Sequence, residues 1–267
     1  MDRRHLLFGA GTWFVASGVS PGSLLNAADR EYAGLPAVHY PAGIRVPTVA
    51  EYIAALEEVK GDAKPYLKEV EKGRELIKDI PPGPTPYDVA YRFYLWRKGK
   101  VGATSEERKD YTYYAHEWPV RGNPIIMGFF DATGLRTPTG DVTPWCSAFA
   151  SWCIQRIQPN QGDGLSDAEK EKIWRYKNGA ASASYRDWGE PTEKPRKGDL
   201  AVFKLNDYQG HIGFVHEVDN DFVWVLGGNQ GAQDDRNGGE VNIAKFTRRS
   251  NKALKLHSFR THALLHK

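Results

Sequence analysis

The spacing of apolar residues changes near residue 200, and this change predicts the fold class. Four short stretches beyond it are rich in β-branched and aromatic residues and are bounded by Gly, Asn and Asp, which is typical of strands. They are 200–204, 211–218, 222–226 and 240–246. Before them, apolar residues recur at helical spacing. Helices followed by strands indicate an α+β fold rather than alternating βαβ units.

Capping signals predict several helix starts ahead of the strands. A polar residue with Glu three positions later, or a Pro in the first turn, is typical of such a start. The predicted starts lie at Thr48, Pro65, Asn123 and Ser166. The aromatic stretch 87–96 is also predicted to be helical, whereas 98–110 is interpreted as an exposed loop.

The first 28 residues have the order of a signal peptide. Arg3 and Arg4 precede a mildly apolar stretch, and small residues follow up to Ala28. The paired arginines resemble a twin-arginine signal, although Asp2 stands where such signals have serine, so both the Tat and the Sec route stay open. We expect an exported protein, periplasmic or extracellular, with no membrane span in the mature chain.

The Pro-rich stretch 79–87 predicts a connector. We divide the chain into the signal peptide at 1–28, a helical extension at 29–110 that includes this connector, and a domain at 111–267. A formal net charge of +3 is too small to indicate a nucleic-acid partner. The oligomeric state stays open.

Cys146 and Cys153 lie on one predicted helix. Seven residues at about 1.5 Å each separate their Cα atoms by about 10 Å, too far for a disulfide. Thr143 and Pro144 suit a cap and a first turn, so Cys146 is expected at about the third helical residue. There the helix dipole and unpaired N–H groups lower a thiol pKa and can stabilise an oxyanion. Cys153 is interpreted as a small core residue.

A catalytic thiol needs a base, and His211 has the best surroundings of the eight histidines. It shares a strand with His216 at odd spacing, so the two face opposite sides of the sheet and only one can approach Cys146. Pairing across the next turn, with paired residue numbers that sum to 439 or 440, places His211 opposite position 228 or 229. Asn229 can then fix the imidazole tautomer, which gives a Cys–His–Asn triad.

Candidate substrate-binding residues flank these positions. Glycines there leave room for a substrate backbone, and tryptophans can line a groove, although a core position is an equal alternative for them. The candidates are Trp145, Trp188, Gly210 and Gly228. No His-Glu-x-x-His or Cys-x-x-Cys motif occurs, so we expect neither a metal nor another cofactor.

The stretches TPWCSAFASWC, WGEP, PRKGDLAVFK, GHIGFV and VLGGNQ occur in this order over roughly 112–247. They resemble the CHAP group of bacterial cysteine amidohydrolase/peptidases, which are NlpC-like and papain-like, and within it a subgroup with the signature TPWCSAF…GHxGF…GGNQ. The resemblance implies a helix carrying the nucleophile Cys146, packed on an antiparallel sheet carrying the base His211. Many members have Glu just ahead of the asparagine; Gly227 and Gly228 stand here, and the third role falls to Asn229.

The resemblance also implies a substrate. CHAP members typically cleave peptidoglycan, either as N-acetylmuramoyl-alanine amidases or as stem-peptide endopeptidases, so peptidoglycan or its stem peptides are the expected partner. Two alternatives stay open. One is a cysteine hydrolase of the same fold that acts on another amide or protein, and the other is a non-catalytic wall-binding module.

Overall fold

The computed structural model describes residues 67–78, 80, 83–118, 123–133, 144–156, 166–174, 179–231, 239–249 and 253–266. The predicted signal peptide and the predicted helix starts at Thr48 and Pro65 lie outside these ranges. Within them, no helix is both long and apolar enough to cross a membrane.

The helices come first along the described chain, as the sequence predicts. Asn123 accepts a hydrogen bond from Ile125 N–H at 2.9 Å, and Ser166 accepts one from Glu169 N–H at 3.3 Å, which confirms two predicted caps. The predicted helix at 87–96 is confirmed as well. The α-helices are α1 (Leu67–Lys78), α2 (Pro86–Arg97), α3 (Ser105–Tyr114), α4 (Pro124–Phe129), α5 (Cys146–Arg156) and α6 (Asp167–Trp174).

The predicted loop at 98–110 is wrong from residue 105 onward, because α3 begins there. Thr104 Oγ1 accepts from Glu107 N–H at 3.1 Å, and the Glu107 carboxylate accepts from Thr104 N–H at 3.2 Å. This capping box starts a helix whose buried residue is Tyr114. A helix with so little buried surface has no apolar periodicity by which the sequence would reveal it.

Six strands of the described chain form one antiparallel sheet, in the order β1-β6-β2-β3-β4-β5. The four predicted strands are confirmed, and the short β1 and the polar β6 add to them. Their bounds are β1 (Glu190–Pro191), β2 (Leu200–Lys204), β3 (Gly210–Val218), β4 (Phe222–Gly231), β5 (Gly239–Thr247) and β6 (Lys255–Thr261). The fold class is therefore α+β, as predicted, and it is compatible with a papain-like fold.

The sheet carries a buried core on each face. Alternation along β2 separates them: Leu200 and Val202 belong to the larger core with α5, and Ala201 and Phe203 to the smaller one. Helix α2, which the predicted boundary assigns to the N-terminal extension, contributes Phe93 to the larger core. The division into extension and domain stays a prediction.

Candidate active site

Cys146 is the first residue of α5, not the third as the sequence predicts. The carbonyl of Trp145 accepts the first helical hydrogen bond, from Phe149 N–H at 2.9 Å. The predicted cap, Thr143, lies outside the described residues. Cys146 and Cys153 are both free thiols, which confirms that the helix keeps them from forming a disulfide.

Strands β3 and β4 separate at the point where α5 begins. Their paired stretch ends at Phe214 and Leu226, whereas β3 stays paired with β2 as far as Gly210. The thiol of Cys146 lies at the backbone N–H of Ile212, on the unpaired part of β3. The N-terminus of α5 therefore sits beside the opening between the two strands.

The surroundings of the thiol favour its neutral form. Burial raises the pKa of Cys146 to about 11, although the backbone N–H groups of Ile212, Ser147 and Cys146 itself act in the opposite direction. The expectation of a lowered pKa is therefore wrong for this conformation, because the loss of water outweighs the N–H groups. Burial also raises the pKa of Cys153, well above its usual value, which agrees with a core role.

The imidazole of His211 lies in the smaller core. Its ring centroid is 6.2 Å from that of Phe203 and 5.6 Å from that of Phe246. The residue is 9% exposed, its Nε2 atom has no hydrogen-bond partner in the described structure, and burial lowers its pKa to about 4. Cys146 belongs to the other core. The thiol of Cys146 thus lies at the backbone of Ile212, the residue after His211, but the side chains of Cys146 and His211 lie on opposite faces of β3.

Asn229 lies in a bulge of β4. The pairing of Phe214 with Leu226 has one of the two predicted registers, but the ladder ends before it reaches His211, so the predicted pairing of His211 with Asn229 is not formed. Asn229 has a φ of +55° and falls in the register shift between β4 and β5. Gln230, a residue to which the sequence assigns no role, holds the bulge: its Nε2 donates to the carbonyls of Val225 at 3.0 Å and Asn242 at 2.8 Å.

The four candidate substrate-binding residues are packed against the protein itself. Trp145 and Trp188 are wholly buried, so the core alternative describes both of them. A Cβ at Gly228 would meet the ring of Trp145, and one at Gly210 would meet the carbonyl of Phe203. The space predicted for a substrate beside these glycines is therefore filled.

His216 lies on the opposite face from His211, as the odd spacing predicts. Its Nδ1 is hydrogen-bonded to the hydroxyl of Tyr87 at 2.6 Å, and its ring stacks on Tyr87 and Tyr91. It is four residues beyond Ile212, or about 13 Å along the strand. His216 is therefore a structural histidine that joins β3 to α2.

Glu117 belongs to the site although nothing in the sequence around it indicates this. Its Oε1 accepts a hydrogen bond from Trp145 Nε1 at 2.8 Å. Neither here nor in any other part of the described ranges is a group of three or more His, Cys, Asp or Glu side chains arranged to hold a metal ion.

A helix that begins with a buried cysteine, packed on an antiparallel sheet that carries a histidine, is the arrangement expected of a papain-like cysteine hydrolase. Residues 138–229 match the family model of the CHAP domain, so the chain contains a CHAP-type domain. The match includes Cys146 and His211 and ends at Asn229. CHAP domains generally belong to cysteine- and histidine-dependent amidohydrolases, and the substrate of these enzymes is often peptidoglycan. No curated protein and no solved structure matches the chain.

Proposed function

We propose that the protein is a peptidoglycan hydrolase that cleaves an amide bond, with Cys146 as nucleophile and His211 as base. The bond is the N-acetylmuramoyl-alanine amide or one within the stem peptide. The observation that carries the proposal is the position of Cys146 at the head of α5, with three backbone N–H groups at its sulfur. Cys146 and His211 both lie in the stretch that matches the CHAP domain.

The reaction follows from these groups. His211 takes the thiol proton, and the thiolate attacks the amide carbonyl. Backbone N–H groups at the start of α5 stabilise the tetrahedral oxyanion. The C–N bond breaks as His211 gives its proton to the leaving amine. Water then attacks the thioester carbonyl as His211 takes its proton, the C–S bond breaks to release the acid, and His211 returns the proton to the sulfur.

The chemistry requires the imidazole to approach the thiol. With pKa values of about 11 and about 4, both groups are neutral near pH 7 in the described conformation. Nε2 of His211 has no partner there, and an unsatisfied buried polar group costs about 1–3 kcal/mol. That cost favours a second conformation in which the ring leaves Phe203 and Phe246. We assign the described conformation to the resting enzyme.

Asn229 is the proposed third residue. It follows Gly228, which packs on the indole ring of Trp145, the residue before Cys146. Its φ is positive, and asparagine tolerates a positive φ better than most residues. In the reactive conformation its side-chain oxygen accepts from the imidazole and fixes the tautomer. We also propose that the protein is exported, on the strength of the order of residues 1–28, because peptidoglycan lies outside the cytoplasmic membrane.

Digestion of purified sacculi tests the proposal. The wild-type protein should release muropeptides, and mass spectrometry of their new termini identifies the cleaved bond. Cys146→Ala should release none, and His211→Ala should release them at a rate at least about 100-fold lower. Cys153→Ala is the matched control, since it removes a thiol from the same helix and should retain activity at a temperature where it is folded. Rapid alkylation of Cys146 with intact sacculi would indicate another substrate, and full release by Cys146→Ala would exclude the proposed nucleophile.

A further inference from the structure

Glu117 lies where the segment after α3 meets the start of β5. Val241 N–H donates to the carbonyl of Ala115 at 3.1 Å, and Glu117 N–H donates to the carbonyl of Gly239 at 2.9 Å. These two hydrogen bonds fix the backbone of Glu117 beside Gly239.

The carboxylate of Glu117 holds the residue that precedes Cys146. Its hydrogen bond from Trp145 Nε1 satisfies the polar atom of a wholly buried indole, whose ring also packs on Gly228. The carbonyl of Trp145 accepts the first hydrogen bond of α5. The position of Trp145 therefore sets where α5 begins, and with it the position of Cys146.

The same carboxylate and the side chain of Asn229 both border Gly239. A Cβ at Gly239 would be 2.5 Å from Asn229 Oδ1 and 2.8 Å from Glu117 Oε1, so any side chain there would displace both groups. A carboxylate accepts several hydrogen bonds, and an amide turned about its last torsion presents Nδ2 in place of Oδ1. Glu117 can thus serve the Trp145 indole and the Asn229 amide together.

We infer that Glu117 is a positioning residue that fixes the Cys146 end of α5 against the Asn229 bulge of β4. It acts through Trp145 and Asn229. The inference rests on the proposed function for the catalytic roles of Cys146 and Asn229, whereas the contacts themselves do not depend on the substrate.

Two substitutions separate a hydrogen-bonding role from a merely space-filling one. Glu117→Ala frees the indole and lets the start of α5 move, so water reaches the thiol. Because burial is what raises the pKa of Cys146, its alkylation by iodoacetamide should then begin about one pH unit lower or more, measured on the Cys146 peptide by mass spectrometry. On soluble muropeptides kcat should fall about tenfold or more, with KM unchanged. Glu117→Gln keeps an acceptor oxygen and should behave like the wild type in both measurements.

Ser151→Ala is the matched control. It removes a buried hydrogen bond of the same helix, between the Ser151 and Tyr185 hydroxyl groups at 2.7 Å, away from the N-terminus. It should lower the temperature of unfolding and leave the alkylation profile unchanged. Trp145→Phe should change the alkylation profile and kcat as Glu117→Ala does. The double variant Glu117→Ala/Trp145→Phe should change them no further than either single variant.

The positioning role is rejected if Glu117→Ala keeps the wild-type alkylation profile, or if Ser151→Ala shifts that profile as much. The alkylation measurement needs no substrate. If the wild-type protein leaves sacculi intact, the proposed function fails, while the alkylation profile still decides the role of Glu117.

Discussion

Strand β3 carries a histidine on each face of the sheet, and the two rings have different surroundings. His216 has a hydrogen bond to the hydroxyl of Tyr87 and stacks on two tyrosine rings of α2. His211 lies against Phe203 and Phe246, with Nε2 unpartnered within the described residues. Burial is the first cause that lowers the pKa of each ring, in both cases to about 4.

The two rings therefore differ in what they contribute to the stability of the fold near neutral pH. Buried polar atoms nearly always have a hydrogen-bond partner, so the unpartnered Nε2 atom of His211 lowers the stability of the described conformation, whereas Nδ1 of His216 is satisfied by the hydroxyl of Tyr87. Activity should therefore depend on His211, and stability near neutral pH on His216.

The largest expected effect is on activity. His211→Ala should lower the rate of muropeptide release by about 10²–10⁴-fold, because it removes the proposed base. His216→Ala should stay within a few-fold of the wild type, because its ring is directed at α2 and not at the thiol. Initial rates on sacculi at a temperature where both variants are folded check this. A folded His216→Ala that is as inactive as His211→Ala would reverse the assignment.

The next effect is on stability in acid. The folded pKa of His211 is about 4, against 6.5 for an ordinary imidazole. Between these values the unfolded chain binds a proton that the folded chain does not, so the free energy of unfolding falls as the pH falls from about 6.5 to about 4. The loss amounts to about 3 kcal/mol. His211→Phe should abolish that loss and fill the same apolar site.

His216→Phe makes the comparison sharper. Like His211→Phe, it should reduce the loss of unfolding free energy in acid. It also loses the hydrogen bond to Tyr87, so it should be less stable than the wild type near neutral pH. Urea unfolding at about pH 7 and about pH 4 measures the stability near neutral pH and its loss in acid. If His211→Phe proves the more destabilising of the two at neutral pH, then His211 stabilises the fold and the contrast between the histidines is wrong.

Much of the fold follows from local signals in the sequence. The strands of the central hairpin are dense in β-branched and aromatic residues, and the caps at Asn123 and Ser166 form as predicted. Strand β1 is two residues long, and β6 has exposed polar positions, so neither produces a clear pattern. Helix α3 is stabilised by its cap and not by a buried stripe.

The sequence predicts the site less completely, because its geometry depends on contacts between distant segments. The proposed chemistry of Cys146 and His211 follows from their residue types and spacing, and the two faces of β3 follow from the odd spacing of its histidines. The direction of the thiol pKa depends on burial, which the helix position does not reveal. Glu117 meets Trp145 across 28 residues, and no local pattern encodes that contact.

The smallest expected effect concerns how firmly the smaller core holds the imidazole of His211. The ring of Phe246 stacks on it at 5.6 Å, and an aromatic pair contributes about 0.5–1.5 kcal/mol beyond its burial. Phe246→Leu removes this aromatic interaction, which stabilises only the resting conformation. The population of molecules in which the imidazole has left the smaller core should therefore rise by about 2–10-fold. If that conformation reacts and remains a minority, the rate of muropeptide release should rise by the same factor, even though the variant unfolds at a lower temperature. Phe222→Leu is the control, since that ring packs on Trp224 and not on His211. An unchanged or lower rate in folded Phe246→Leu would mean that the imidazole reacts from where it lies, and that the smaller core supports the base instead of restraining it.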